Sequence, residues 1–252
     1  MPLQTSGAIS LNQIHVEAGG TSGTTASIND SDIRNLIGKA SGATMSFNEW
    51  YGASAVATPT FINSTSVTNP ESDNVVVSVT APTGSNAIIG IGQDTSNAYT
   101  NISFSGSPTH INPQISTAFK CRGFYKLNPG TTAFGFQATR HSIAAMGFAN
   151  VTSLAQNVSS TTSSLSTVSV TRTTATSRTF IGLAASHASS DNDSAPNFSG
   201  YTAFRRTGNN EELRGGAGVA YKHGTGSSVT YTHTYGGTDG KPTDYGFHEL
   251  VR

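Results

Sequence analysis

Three short stretches near the start of the chain place apolar residues at helical spacing behind a capping side chain. In Ser6-Gly-Ala-Ile-Ser-Leu-Asn-Gln-Ile14 and in Ser41-Gly-Ala-Thr-Met-Ser-Phe-Asn-Glu-Trp50, a serine (Ser10, Ser46) stands three residues ahead of Gln13 or Glu49. At that spacing an N-cap hydroxyl and an N3 side chain satisfy each other's exposed backbone amides. Ile9 with Ile14, and Met45 with Trp50, flank the caps as hydrophobic staples. Between them, Ile28-Asn29-Asp30-Ser31-Asp32-Ile33 repeats the pattern with Asn29 as cap, and Ile33, Leu36 and Ile37 make an apolar stripe ending at Gly38. The pattern predicts three short helices within residues 1–54. Isolated helices below about 12 to 15 residues are marginal in water, and a unit this small holds a thin core. The expectation is that these helices pack on something outside themselves, either the rest of the chain or another protein.

From Ala55 onward the helical spacing disappears. Brief β-branched and aromatic runs bounded by turn residues predict strands at 60–67, 74–80, 86–92, 119–127, 131–138, 142–148, 165–172, 178–185, 200–205, 216–223, 228–235 and 244–251. Strand after strand without a helix predicts an antiparallel β-sandwich over residues 55–252. Within the run near 231, Tyr231, His233 and Tyr235 alternate with Thr230, Thr232 and Thr234. One face is aromatic and the other hydroxyl. Alternating strands of this kind ordinarily bury the aromatic face and wet the threonines. The rival reading exposes the rings as a sugar platform, with Tyr231, His233 and Tyr235 as candidate glycan contacts.

Composition narrows the field. The chain has 252 residues, of which 14 are basic and 14 acidic, and only 11% are charged. No basic field is available to condense on phosphates, which argues against a nucleic-acid partner. No apolar stretch reaches the length of about 18 residues that a membrane span needs, and the opening Met-Pro-Leu-Gln-Thr lacks signal-peptide character, so synthesis in the cytoplasm is expected. The single cysteine, Cys121, reads as a small packed side chain in a strand.

Catalytic signatures are missing: no Gly-x-Ser-x-Gly elbow, no phosphate-binding loop and no His-Glu-x-x-His occurs. His223 and His233 flank a turn that could set them on neighbouring strands, though an ordinary strand role is favoured over a metal. Asp191-Asn-Asp193 lacks the glycine and distal glutamate of a calcium loop. Glu211 and Glu212 beside Arg205, Arg206 and Arg214 read as surface pairing. The expectation is a non-enzymatic protein without cofactor or metal.

Two resemblances give direction. Ser6-Gly-Ala-Ile-Ser-Leu-Asn-Gln-Ile14, a glycine pair, and later Met45-Ser-Phe-Asn-Glu-Trp-Tyr-Gly52 resemble a leader found in structural proteins of tailed bacteriophages, with Asn12, Gln13 and Trp50 departing from its usual wording. The sequence from Asn74-Val-Val-Val-Ser-Val through Arg122-Gly-Phe-Tyr-Lys-Leu-Asn-Pro-Gly130 to the last hairpin resembles a jelly-roll-like β-sandwich recurrent in virion proteins and some bacterial surface proteins.

The resemblances imply a virion protein associated with tail, collar or fibre. Residues 1–54 would attach to other virion proteins through Ile9, Leu11, Ile14, Ile33, Leu36, Ile37, Phe47, Trp50 and Tyr51, and the sandwich would face outward. A head decoration protein, or a glycan-binding module touching a host surface glycan, is the alternative. Uncharged strand edges further lead us to expect a homo-oligomer.

Overall fold

The computed structural model describes residues 3–53, 58–69, 75–94, 102–111, 120–138, 141–163, 167–175, 177–187, 196–207, 215–234 and 243–252. It divides into two compact units, Met1–Ala57 and Thr58–Arg252.

In the N-terminal unit, α1 (Leu11–Glu17) starts as its capping box requires. The Gln13 amide donates to the Ser10 hydroxyl at 3.2 Å, and the Ser10 amide donates to the Gln13 side chain at 2.8 Å. The N-cap position of α2 (Ser31–Asn35) is Asp30, not Asn29 as the spacing suggests, and its carboxylate accepts from the preceding Ser27 amide at 2.7 Å and not from an amide of the helix. The third predicted helix is a single 3-10 turn, Phe47–Trp50. There the Ser46 amide donates to the Glu49 carboxylate at 2.8 Å, and the Lys39 ammonium sits 2.6 Å from the same group. The hydrogen bond from Lys39, then the one from Ser46, hold the Glu49 carboxyl below the usual carboxylate range.

These pieces share one core. Leu3, Ile14, Ile33 and Trp50 are buried together, with Ile9, Leu11, Leu36, Ile37 and Met45 packed around them. The Trp50 indole N–H donates to the Ile33 carbonyl at 3.2 Å. Backbone bonds from Leu3 to Ala53 (2.7 Å) and from Gly52 to Gln4 (3.0 Å) close the unit on itself. The expectation that the helices need an outside surface is corrected here. One indole supplies the large apolar area that three short turns lack individually.

The second unit is an antiparallel β-sandwich. With strands numbered in chain order, one five-stranded sheet runs β1 (Thr60–Asn69), β7 (His141–Ala149), β3 (Ala87–Asp94), β5 (Lys120–Leu127), β4 (Thr109–His110). The other runs β12 (Ala203–Arg206), β13 (Gly215–His223), β10 (Arg178–His187), β15 (Thr243–Val251), β8 (Ser153–Ser163). Their facing residues make the main core, in which Ile89, Ile91 and Met146 meet Ile181, Leu183 and Val219.

Each five-stranded sheet is apolar on its outer face as well, and each outer face is covered. β2 (Val75–Thr80) pairs with β6 (Ala133–Ala138) and closes over Ile88, Phe124 and Ile143. β11 (Asn197–Ser199), β14 (Ser228–Thr234) and β9 (Thr167–Thr173) form a three-stranded sheet over Phe180 and Phe247. Continuous burial along β3, every residue of which is inside, follows from being covered on both faces. Three observed strands, β4, β8 and β11, are absent from the sequence prediction. β4 and β11 are very short, and β8 is a hydroxyl-rich edge strand with little apolar signal.

Candidate functional site

The nine residues proposed for attachment fall into three groups. Ile14, Ile33 and Trp50 are fully buried inside the N-terminal unit. They hold it together and present nothing to a partner. Ile9, Leu11, Leu36 and Ile37 pack partly against that core. Phe47 and Tyr51 point outward, 45% and 37% exposed, and Val16, which the sequence reading did not single out, is 45% exposed. The Phe47 ring lies 6.0 Å from the Trp50 ring, and the Tyr51 hydroxyl donates to the Gly7 carbonyl. Phe47 and Tyr51 thus rest on the buried tryptophan's turn and show their remaining surface to solvent.

The aromatic face of β14 is core. Tyr231 and His233 are buried, and the Tyr231 ring stacks on Phe180 at 4.0 Å. The Tyr201 hydroxyl and His233 Nε2 are 2.8 Å apart. Burial pushes the His233 imidazole down to about 3, so it stays neutral at ordinary pH. Neither ring offers a face to a sugar, which corrects the platform reading for these two residues; Tyr235 lies outside the described residues. His223 and His233 are not on neighbouring strands of one sheet. His223 on β13 contacts the Thr179 hydroxyl at 2.8 Å, while His233 belongs to the covering sheet. Asp191 to Ser194, Glu211, Glu212 and Arg214 also lie outside the described residues.

What β14 shows to solvent is its hydroxyl side. On β9, Thr167, Ser169, Thr171 and Thr173 pair in register with Thr234, Thr232, Thr230 and Ser228 of β14. On β11, Asn197 and Ser199 extend the row opposite Thr234 and Thr232. Alternation sends Val168, Val170, Val229 and Tyr231 inward and leaves these polar side chains outward. Cross-strand oxygens meet at 2.9 Å for Ser169 with Thr232 and for Thr171 with Thr230. The result is a ladder of hydroxyls over an aromatic base, with the Arg206 guanidinium donating to Asn197 at its β11 end.

The buried polar groups elsewhere are structural. Glu249, 7% exposed, receives the Arg178 guanidinium at 2.7 Å and lies 3.5 Å from the Thr174 hydroxyl. His141 and His248 are buried, and desolvation lowers each to about 4. Among the described residues no three His, Cys, Asp or Glu side chains gather into a group able to hold a metal, and no helix is long and apolar enough to cross a membrane. No protein-family model, curated protein or solved structure matches the chain.

Proposed function

We propose that this chain is a non-enzymatic structural component of a tailed-bacteriophage particle, associated with tail, collar or fibre, in which residues 1–57 attach and the β-sandwich is displayed. The observation that carries the reading is a separate N-terminal unit whose core closes around Trp50 while Phe47 and Tyr51 remain outside. Exposed aromatic side chains on a small folded unit are of the kind that interfaces use as anchors. The leader-like wording of Ser6 to Ile14 and Met45 to Gly52 supports the same assignment.

The sheet edges support assembly as well. β1 and β8 are edge strands of ten and eleven residues without a single charge. Edges of that length invite pairing unless something covers them. Each carries a register irregularity that blunts it only locally.

The test is particle incorporation of a Phe47→Ser, Tyr51→Ser double variant beside the wild-type chain. Loss of incorporation by a double variant that still unfolds cooperatively is the expected result. Normal incorporation of the double variant overturns the attachment role.

A second reading, contact with a neutral host polysaccharide, is favoured by the hydroxyl ladder of β9 and β14 and not by the buried rings of Tyr231 and His233. Hydroxyls that both donate and accept match a ligand that is itself a row of hydroxyl groups. Retention on immobilised neutral polysaccharide that disappears in a Thr171→Val, Thr230→Val variant would favour it, and equal behaviour of both proteins would remove it.

A further inference from the structure

The two five-stranded sheets, read from the strand that opens each, have the same plan. The first is β1-β7-β3-β5-β4 and the second, in the same direction, β8-β15-β10-β13-β12. Strand for strand, the opening strand lies at one edge, beside the closing strand, and the third strand of the first half matches β10 of the second. The covering sheets agree too, because β2 pairs with β6 as β9 pairs with β14.

The registers coincide residue by residue. Ile89 stands opposite Tyr125 and Met146, and Ile181 stands opposite Tyr221 and His248. Tyr125 in turn faces Thr109, and Tyr221 faces Ala203. In the covering sheets Val77 and Val79 face Phe136 and Phe134, while Val168 and Val170 face His233 and Tyr231. The Asn128 amide donates to the Asn86 carbonyl at 2.7 Å, and at the matching turn the Gly224 amide donates to the Arg178 carbonyl at 2.8 Å. Traces survive in sequence at these same places: Val77-Ser-Val-Thr80 and Val168-Ser-Val-Thr171, Ile89-Gly90 and Ile181-Gly182, Tyr125-Lys126 and Tyr221-Lys222.

Contacts between the halves run in both directions, one residue out of step with each other at both ends. The Asn86 side chain, just before β3, donates to the Val151 carbonyl ahead of β8 at 2.8 Å. The Thr179 side chain, at the start of β10, donates to the Pro59 carbonyl ahead of β1 at 3.2 Å. A surface on which each copy contacts the other through the same elements, here the start of the third strand and the approach to the first, is isologous, the arrangement of a two-fold dimer.

We infer that residues 58–150 and 151–252 are two copies of one β repeat, and that the inner faces of their five-stranded sheets form a self-complementary interface whose partner is a second copy of the repeat. The unit is a dimer joined into one chain. This inference is independent of the proposed attachment function. The join is Asn150-Val151-Thr152, running from the end of β7 to the start of β8. Asn150 donates to the Thr60 hydroxyl at 3.3 Å and the Thr152 amide donates to the Val251 carbonyl at 2.8 Å, so the ends of four strands meet there. By the two-fold relation, the same three residues suffice to lead from Val251 to Thr60.

A reordered full chain tests this: residues 1–59, then 153–251, then 150–152, then 60–149 and Arg252. It is expected to give one cooperative thermal transition within about 10 °C of the native-order protein, a shift no larger than ordinary point mutations produce. A second protein keeps the native order and exchanges the matched residues, Met146→His with His248→Met, with the same expectation. Either protein folding at that stability supports equivalence of the halves. Failure of both to fold cooperatively overturns it.

Discussion

The two repeats of the β unit agree inside and differ outside. Where the sheets face each other, Ile89 and Ile91 answer Ile181 and Leu183, and Tyr125 answers Tyr221. On the solvent side of the covering sheets only Ser78 and Thr80 answer, to Ser169 and Thr171; Val76 stands against Thr167, and Ala133, Gly135 and Gln137 stand against Thr230, Thr232 and Thr234. The first repeat shows Val76, 61% exposed, beside Ser78 and Thr80, while the second shows the hydroxyl ladder of β9 and β14. A face that packs against its own copy keeps its apolar shape because every change is felt twice, once in its sheet and once across the interface. Solvent-facing positions carry no such constraint and are free to specialise.

Polar residues have entered the second repeat's interior. His248 stands where the first repeat has Met146, and His233 where it has Phe136. His233 is accommodated by Tyr201, whose hydroxyl meets its ring nitrogen above Gly182.

The largest test of the comparison is truncation of matched rings. Phe134→Ala and Tyr231→Ala, buried at equivalent positions, should each lower unfolding free energy in urea by about 3 to 5 kcal/mol. A cost below about 1 kcal/mol for one of them would break the equivalence.

Next comes acid. The unfolded state takes up a proton on each histidine near pH 6.5, whereas folded His248 resists until about 4. Folded protein therefore binds fewer protons in that window, and its stability is present above about 6.5 and falls as pH drops toward 4. For His248 alone the loss is about 3 kcal/mol. His141 acts in the same direction with a pKa of about 4, and His233 with one of about 3. Replacing His248 by Met, the residue at the matching place, should flatten the stability profile between pH 6.5 and 4; an unchanged profile would contradict the assignment.

Smaller effects sharpen the picture. A Cβ at Gly90 would lie 2.5 Å from the Ala144 carbonyl, whereas one at Gly182 would collide with Tyr201 and His233 side chains. Both Gly→Ala changes should cost about 1 to 3 kcal/mol by thermal denaturation, with Gly90 the dearer because backbone yields less than a side-chain tip. The least is expected of the ladder: Thr171→Val should shift stability by less than about 1 kcal/mol, since the hydroxyls face solvent.

Much of this organisation was legible in the sequence. Turn residues and β-branched runs locate twelve strands of the sandwich. The alternation around Tyr231 states both faces of β14, and choosing between them needed the covering arrangement that buries one. β8 escaped because Ser153 to Ser163 offers serine and threonine where apolar residues usually mark a strand. The duplication escaped because only Val-Ser-Val-Thr, Ile-Gly and Tyr-Lys persist, while register, which pairs them, is a property of the folded sheet. Capping boxes around Ser10 and Ser46 were readable from spacing alone. The closure of three turns on Trp50 was not, since the length of each turn says nothing of the side chains it shares with the others.

The central claim, that residues 1–57 fasten the β unit to a phage particle, is tested most directly by immunogold electron microscopy. Antibody raised against residues 58–252 is applied to particles purified from the culture that yields this sequence. Gold at one fixed position on the particle, at tail, collar or fibre, is the predicted result. Bare particles, with the protein recovered instead from cells or medium, would contradict it.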